Sequence, residues 1–276
     1  MRKQGEPSRL ERVYAIVFLL LLGFFGASAA EELKIGGSGA ALGTMQLLGN
    51  EFTAANPNVK IMIVPSLGSG GGITAVVAGA IGLAVTSRPL KESERKLGAT
   101  ETEYARTPFV FAVSTKSKVT AISATELVAI YAGKRVSWAD GTPVRIVLRP
   151  SSDIDTTIVR NLSPEMNSAY SIAETRPGVR YSVNDQDAAN DLERIPGVIG
   201  PSSLALILSE RRALRALKFE GREPTAQNGA SGTYPYYKRL FFVTSAQRTP
   251  VVERFIAFVR SPVGREILAR NGQWIP

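Results

Sequence analysis

The chain has 276 residues, 44% hydrophobic and 21% charged, a balance and length that suit two modest globular units with real cores. It contains no histidine and no cysteine, which excludes Ser/His/Asp and Cys/His nucleophiles, His or Cys zinc centres and disulfide frameworks. The formal charge of +9 fits anions of any size, but there is no run of five or more Lys/Arg and the aromatics are scattered, so no nucleic-acid partner is expected.

Arg2, Lys3, Arg9 and Arg12 precede an apolar run from Val13 to Phe25, and Ala27-Ser28-Ala29-Ala30 supplies the small residues of a signal-peptidase site. The run is shorter than the roughly 20 residues that span a bilayer, so residues 1–30 are expected to be a cleaved signal peptide rather than a retained anchor. No twin arginine precedes the run and no cysteine stands at the cleavage point. The mature chain is therefore expected in the periplasm by the general export route, soluble and not a lipoprotein.

Leu33 to Ile35 begins a strand that runs into Gly36-Gly37-Ser38-Gly39, and Leu42, Met45, Leu48, Phe52 and Ala55 then recur at helical spacing. Val59 to Val64 is β-rich, Ser66 to Gly72 is a second Gly/Ser turn, and Ile73 to Ala80 reads as a helix of small residues. A short strand, Ile81 to Val85, ends in Thr86-Ser87-Arg88-Pro89. Pro108 to Val113 is strand-like and leads to a polar crossover at Ser114 to Ser117. A helix from Thr125, read as its N-cap, to Tyr131 precedes a strand over Val144 to Leu148, which ends in Arg149-Pro150-Ser151-Ser152-Asp153 before a helix near Ile154. Val198-Ile199-Gly200, a helix over Leu204 to Leu208, a polar loop at Gln227 to Thr233, a return strand over Leu240 to Val243 and two closing helices, Val251 to Arg260 and Pro262 to Arg270, complete the pattern. Strands alternating with helices predict an α/β fold with a parallel sheet.

Four strand ends thus carry Gly, Ser or Arg at the start of a helix: Ser38-Gly39-Ala40, Ser69-Gly70-Gly71, Ser87-Arg88, and Arg149 with Ser151, Ser152 and Asp153. Helix N-termini offer unpaired N–H groups, glycine admits close approach and serine adds hydroxyl donors, so such turns suit a small oxyanion. Each turn alone also fits ordinary capping. The C-terminal ends of strands in an open α/β sheet share one crevice, so the four turns can converge. Neither the Walker A pattern nor the dinucleotide fingerprint is present.

The order LKIGGSGAALG, PSLGSGGGI, IGLAVTSRPL, ISATELVAIYAG with Trp138-Ala139-Asp140-Gly141, RPSSD, GVIG, YPYYKRLFFV and SPVGREILARNG resembles the phosphate-binding proteins of bacterial ABC importers. The resemblance covers residues 33–274. It implies a two-lobed, type II periplasmic binding protein fold with two crossover hinge strands, one lobe from 31–113 and 226–276 and the other from 114–225. It implies a monomeric, non-enzymatic receptor that binds phosphate or a related tetrahedral oxyanion and delivers it to a membrane permease, with no cofactor. An oxyanion sensor or scavenger, a sulfate, molybdate or tungstate binder, and a phosphatase are the alternatives. Carried over by position, Gly39 and Ala40 supply backbone donors, Ser69 and Gly70 fall on the family's second Ser/Gly turn, and Arg149 on its anion-binding arginine. Ser87 stands where the family has an aspartate, and Asp153-Ile154-Asp155 where it reads Ser-Gly-Thr. A carboxylate that accepts the proton of phosphate disfavours sulfate. Asp153 is the candidate for that role here, or else the cap of the helix that follows.

Overall fold

The computed structural model describes residues 31–276, and the expected export signal at 1–30 lies outside the described residues. β1 (Glu31–Gly37), α1 (Gly39–Ala55), β2 (Val59–Ile63), α2 (Gly68–Val77), β3 (Leu83–Thr86) and the short α3 (Glu92–Lys96) lead into β4 (Thr100–Ser114). β5 (Ala121–Ile122), α4 (Ala124–Tyr131), β6 (Arg145–Leu148), α5 (Ile154–Arg160), α6 (Pro164–Thr175), β7 (Arg180–Tyr181) and α7 (Asp185–Arg194) come next. β8 (Val198–Ser203), α8 (Leu204–Ser209), β9 (Leu214–Ala216), β10 (Lys218–Phe219), α9 (Ala226–Ala230), β11 (Tyr237–Thr244), α10 (Pro250–Arg260) and α11 (Pro262–Arg270) follow.

The main sheet runs β2-β1-β3-β11-β4-β8-β6-β7, with β9 added to the end of β4, while β5 and β10 form a small sheet of their own. β1 is parallel to β2 and β3, and β6 is parallel to β7 and β8. β11 and β4 are antiparallel to their neighbours and join these two parallel halves. Helices between the parallel strands cover the sheet faces, so the central strands β3 and β6 are buried and read as apolar runs, while β7 at the edge is exposed.

Two cores lie on either side of the junction. Leu33, Ile35, Met45, Leu48, Phe52, Leu83, Tyr104, Leu240 and Phe255 make the first, and Phe109, Phe111, Leu127, Tyr131, Ile146, Leu148, Tyr170 and Tyr234 are central to the second. Burying one such large apolar side chain contributes roughly 1.5–3 kcal/mol, so each half has a core of its own. The switch falls within β4. Up to Pro108 the strand pairs with β11, and from Phe109 it pairs with β8. The returning chain passes beside it, where Phe109 donates its amide to the Tyr236 carbonyl at 3.0 Å and Tyr234 donates its hydroxyl to the Phe109 carbonyl at 2.8 Å. The fold is thus α/β and two-lobed, as the resemblance implies, and the chain crosses between the halves once as β4 and once as the non-strand segment 234–236. Expected boundaries at 113/114 and 225/226 put Phe109, Phe111, Val113, Tyr234 and Tyr236 with the first lobe, whereas their side chains pack in the second core.

Several local expectations are corrected. The crossing occurs within β4 rather than at Ser114 to Ser117, because the strand extends back to Thr100 through Thr-Glu-Thr-Glu, a polar stretch that reads as loop. α2 begins at Gly68, so Ser69, Gly70 and Gly71 lie in a first helical turn rather than a loop before it. Ser123, not Thr125, caps α4, accepting from the Glu126 amide at 3.2 Å while the Glu126 carboxylate accepts from the Ser123 amide at 3.0 Å. That reciprocal pair is the capping box.

Candidate anion-binding cleft

A cleft of about 420 Å³ opens at the C-terminal ends of β1, β3 and β6. Ser38, Ser69, Gly70, Gly71 and Arg88 line it from one side, and Ser152 and Asp153 from the other. Leu67, Gly68, Thr74, Lys91, Glu94, Pro150, Ile154, Val183 and Asp185 complete the wall. The expected convergence of the strand-end turns therefore occurs. Gly39, Ala40, Ser87 and Arg149 lie buried behind the lining, and Ser151 is exposed outside it.

The first-half turns are bound together by their hydroxyls. Ser38 Oγ and Ser87 Oγ are 2.6 Å apart and buried, and Ser87 donates its amide to Ser69 Oγ at 3.0 Å. Arg88 faces the cleft with its charge already matched, since Nη1 and Nη2 donate to the two carboxylate oxygens of Glu94 at 2.8 and 2.7 Å. The hydrogen bonds from Arg88 hold the Glu94 carboxyl below the usual carboxylate range. Arg88, expected among the anion ligands, thus meets the cleft as one half of a planar fork–fork pair with Glu94.

Arg149, 1% exposed, leaves the end of β6 and is held in place from several directions. Its carbonyl accepts from the Thr156 and Tyr170 hydroxyls at 3.0 and 3.3 Å. Nη1 donates to the Ser182 carbonyl at 2.9 Å and Nη2 to Asp153 Oδ2 at 2.6 Å, while Nε is buried without a partner. Asp153 is the N-cap of α5, its Oδ1 accepting from the Asp155 amide at 2.9 Å. Each carboxylate oxygen of Asp153 thus already accepts a hydrogen bond, and both sequence readings of this residue bear on one side chain.

Three residues that the sequence reading did not select complete the site. Lys238, buried on β11, places Nζ 2.5 Å from Asp155 Oδ1 and 3.5 Å from Asp185 Oδ1. Asp185 Oδ2 lies 3.9 Å from Arg149 Nη2. The cluster sets three carboxylates against two cations in a region of low dielectric. Burial pushes Asp155 up to about 7, opposed by Lys238 and reinforced by Asp153 and Asp185. Burial also opposes the charge of Asp185, but Lys238, Arg149 and the Ala40 amide outweigh it and lower its pKa. Lys238 stays charged because Asp155, Asp185 and Asp153 together outweigh its desolvation.

One signal for Lys238 is legible in retrospect. β11 alternates exposed and buried at Tyr237, Lys238, Arg239 and Leu240, so the lysine occupies an inward position next to an apolar run. For Asp185 the local signal is Asn184, a helix N-cap ahead of a mostly polar segment whose apolar stripe is only Ala188, Ala189 and Leu192.

The PBP superfamily domain family matches residues 26–263 of the chain. A Bacillus subtilis relative, the phosphate-binding protein PstS, is 26% identical over 259 residues, covering 90% of this chain and 81% of its own. Among solved structures, a Clostridium perfringens substrate-binding protein crystallised with bound phosphate superposes with a TM-score of 0.74 at 21% identity, covering 89% of this chain and all of its own. The periplasmic molybdate-binding protein of Azotobacter vinelandii gives 0.63 at 16% identity, with 88% and 99% covered. With a family match across most of its length and this two-lobed frame around a cleft, the chain belongs to the PBP superfamily.

Proposed function

We propose that this protein is an extracytoplasmic receptor that captures phosphate in the cleft between its lobes and delivers it to the permease of an ABC importer. The observation that carries this reading is the convergence, on one cleft, of turns from both halves of the sheet, with hydroxyl donors at Ser38, Ser69 and Ser152 over a buried arginine. The names of its relatives and the positional carry-over of Arg149 and the two Ser/Gly turns support it. Ser38, Gly39, Ala40, Ser69, Gly70, Gly71, Ser87, Arg149, Ser151, Ser152 and Asp153 remain the proposed binding set, and Arg88 contributes through its pair with Glu94. The role is capture without turnover, with the protein acting as a monomer in the periplasm. Among the described residues no helix is long and apolar enough to cross a membrane.

Calorimetric titration of the purified protein with phosphate, sulfate and molybdate tests this. Saturable heat with phosphate is expected, and phosphate release from a chromogenic ester is not. Saturation only by sulfate or molybdate overturns phosphate as the ligand. Asp153→Asn is expected to weaken phosphate and strengthen sulfate, because the amide can donate where the carboxylate repels, a mismatch of roughly 2–5 kcal/mol in a desolvated site. An unchanged phosphate-to-sulfate ratio would confine Asp153 to capping α5 and pairing with Arg149.

A further inference from the structure

The donors that an anion needs in this cleft are engaged by the protein's own carboxylates, and Asp185 engages the most of them. It is the first residue of α7, in the second half of the sheet, yet it packs against Gly39 in the first turn of α1, in the other half, where the Ala40 amide helps to hold its pKa down. The same carboxylate lies 3.5 Å from Lys238 Nζ and 3.9 Å from Arg149 Nη2. A helix N-terminal amide and two cations are the donor set that recognises an oxyanion. An oxyanion seated between the Ser38-Gly39-Ala40 turn and Arg149 needs the same atoms.

Packing, rather than a flexible side chain, delivers the carboxylate there. A Cβ placed on Gly39 would fall 2.8 Å from Asp185 Cβ and 2.2 Å from Gln186 Oε1, so glycine at 39 is what lets α7 close onto α1. Gln186 Nε2 fixes the approach by donating to the Gly39 carbonyl at 3.1 Å and to Glu210 Oε1 at 2.8 Å. One turn along, a Cβ on Gly43 would meet Ser209 Oγ at 2.4 Å, so the same face of α1 also receives the end of α8. The Gly39 space that the sequence reading reserved for a ligand is therefore filled by Asp185 and Gln186.

We propose that Asp185 is an affinity-determining residue: a tethered carboxylate that occupies the anion cradle and that an incoming phosphate must displace. The inference rests on the reading of the cleft as a phosphate site. A tethered group competes at a high effective concentration, so the apparent affinity falls with the fraction of time that the cradle is free. The contact also bridges the two halves, so it favours closure in the absence of a solute. An acidic residue at a helix N-terminus is ordinarily content with its own helix dipole. Asp185 instead reaches the N-terminus of a different helix, in the other half.

The test is calorimetric titration of phosphate into the full protein, Asp185→Asn and Asp187→Asn. Asp187 is exposed on the same helix, and its replacement makes the same change in net charge. Asp185→Asn is expected to bind phosphate about tenfold or more tightly than the parent, while Asp187→Asn stays within about twofold of it. Equal affinity of the parent and Asp185→Asn overturns the inference and leaves the phosphate reading standing. If none of the three proteins binds phosphate, that reading fails, and small-angle scattering without added anion decides the inference by itself. A more extended Asp185→Asn then supports it, and superimposable profiles overturn it. Asp185→Ser gives the same comparison should the asparagine variant not fold.

Discussion

Lys238→Met is expected to lower the unfolding free energy by about 3–5 kcal/mol, read from urea denaturation near neutral pH. The side chain is buried on β11 and is the nearest cation to Asp155, with Asp185 a further ångström away. Replacing it by an apolar chain of similar length keeps the packing and leaves two buried carboxylates facing each other with only Arg149 to balance them. A buried pair adds little over a well-packed apolar substitute, but one surviving member of a broken pair is costly. The pH dependence separates this cause from lost packing. Asp155 holds its proton up to about 7 in the folded protein, whereas in the unfolded chain it ionises near 4. Between those values the folded state binds the extra proton, so stability falls as pH rises through the window. Asp185 is shifted the other way, and its contribution is lost only as pH falls below the ordinary carboxylate range. Without Lys238 both carboxylates resist ionisation more strongly, so the gap between parent and variant is expected to be wider at pH 7.5 than at pH 5. A gap independent of pH would show that Lys238 acts through its methylenes alone.

Arg149→Ala is expected to weaken phosphate binding by about 2–5 kcal/mol, that is, by between roughly 30-fold and several thousandfold. Of its five N–H donors, two make named hydrogen bonds, to Ser182 and Asp153, and Nε makes none. Donor capacity therefore remains for an anion. Arg149→Lys is expected to recover little, since a point charge cannot serve the Ser182 carbonyl, Asp153 and an oxyanion in one plane. Calorimetry on both variants, with circular dichroism to confirm folding, checks this, and an unchanged dissociation constant in Arg149→Ala would remove the residue from the site.

The parts of this fold that were legible in the sequence are those where local chemistry and burial agree. β1, α1, β3, β6, β8 and the two closing helices could be read because their apolar residues face a core and their ends carry Gly, Ser or Pro. The start of β4 could not, because Thr100 to Glu103 pair with β11 through the backbone while presenting polar side chains. α7 was missed for a related reason, since its polar composition hides the small apolar stripe of Ala188, Ala189 and Leu192. With it went Asp185. The candidate site was legible as far as its proposed donors, which the sequence marks by Gly, Ser and Arg at strand ends. Its counter-charges were not, because Asp155, Asp185 and Lys238 are brought together only by tertiary structure, across separations that no motif spans.

The central position of β11 in the sheet bears on how the chain acquires its structure as it is made. β11 lies between β3 and β4, and the first core joins residues 33–105 to residues 240–268. A polypeptide emerging amino end first can pair β1 with β2 and β3 early, but β3 and β4 wait for β11 until almost the whole length is available, and pairing over so long a separation is slow. The second core, drawn from residues 109–236, has no such wait. The half of the molecule made first is thus the half completed last.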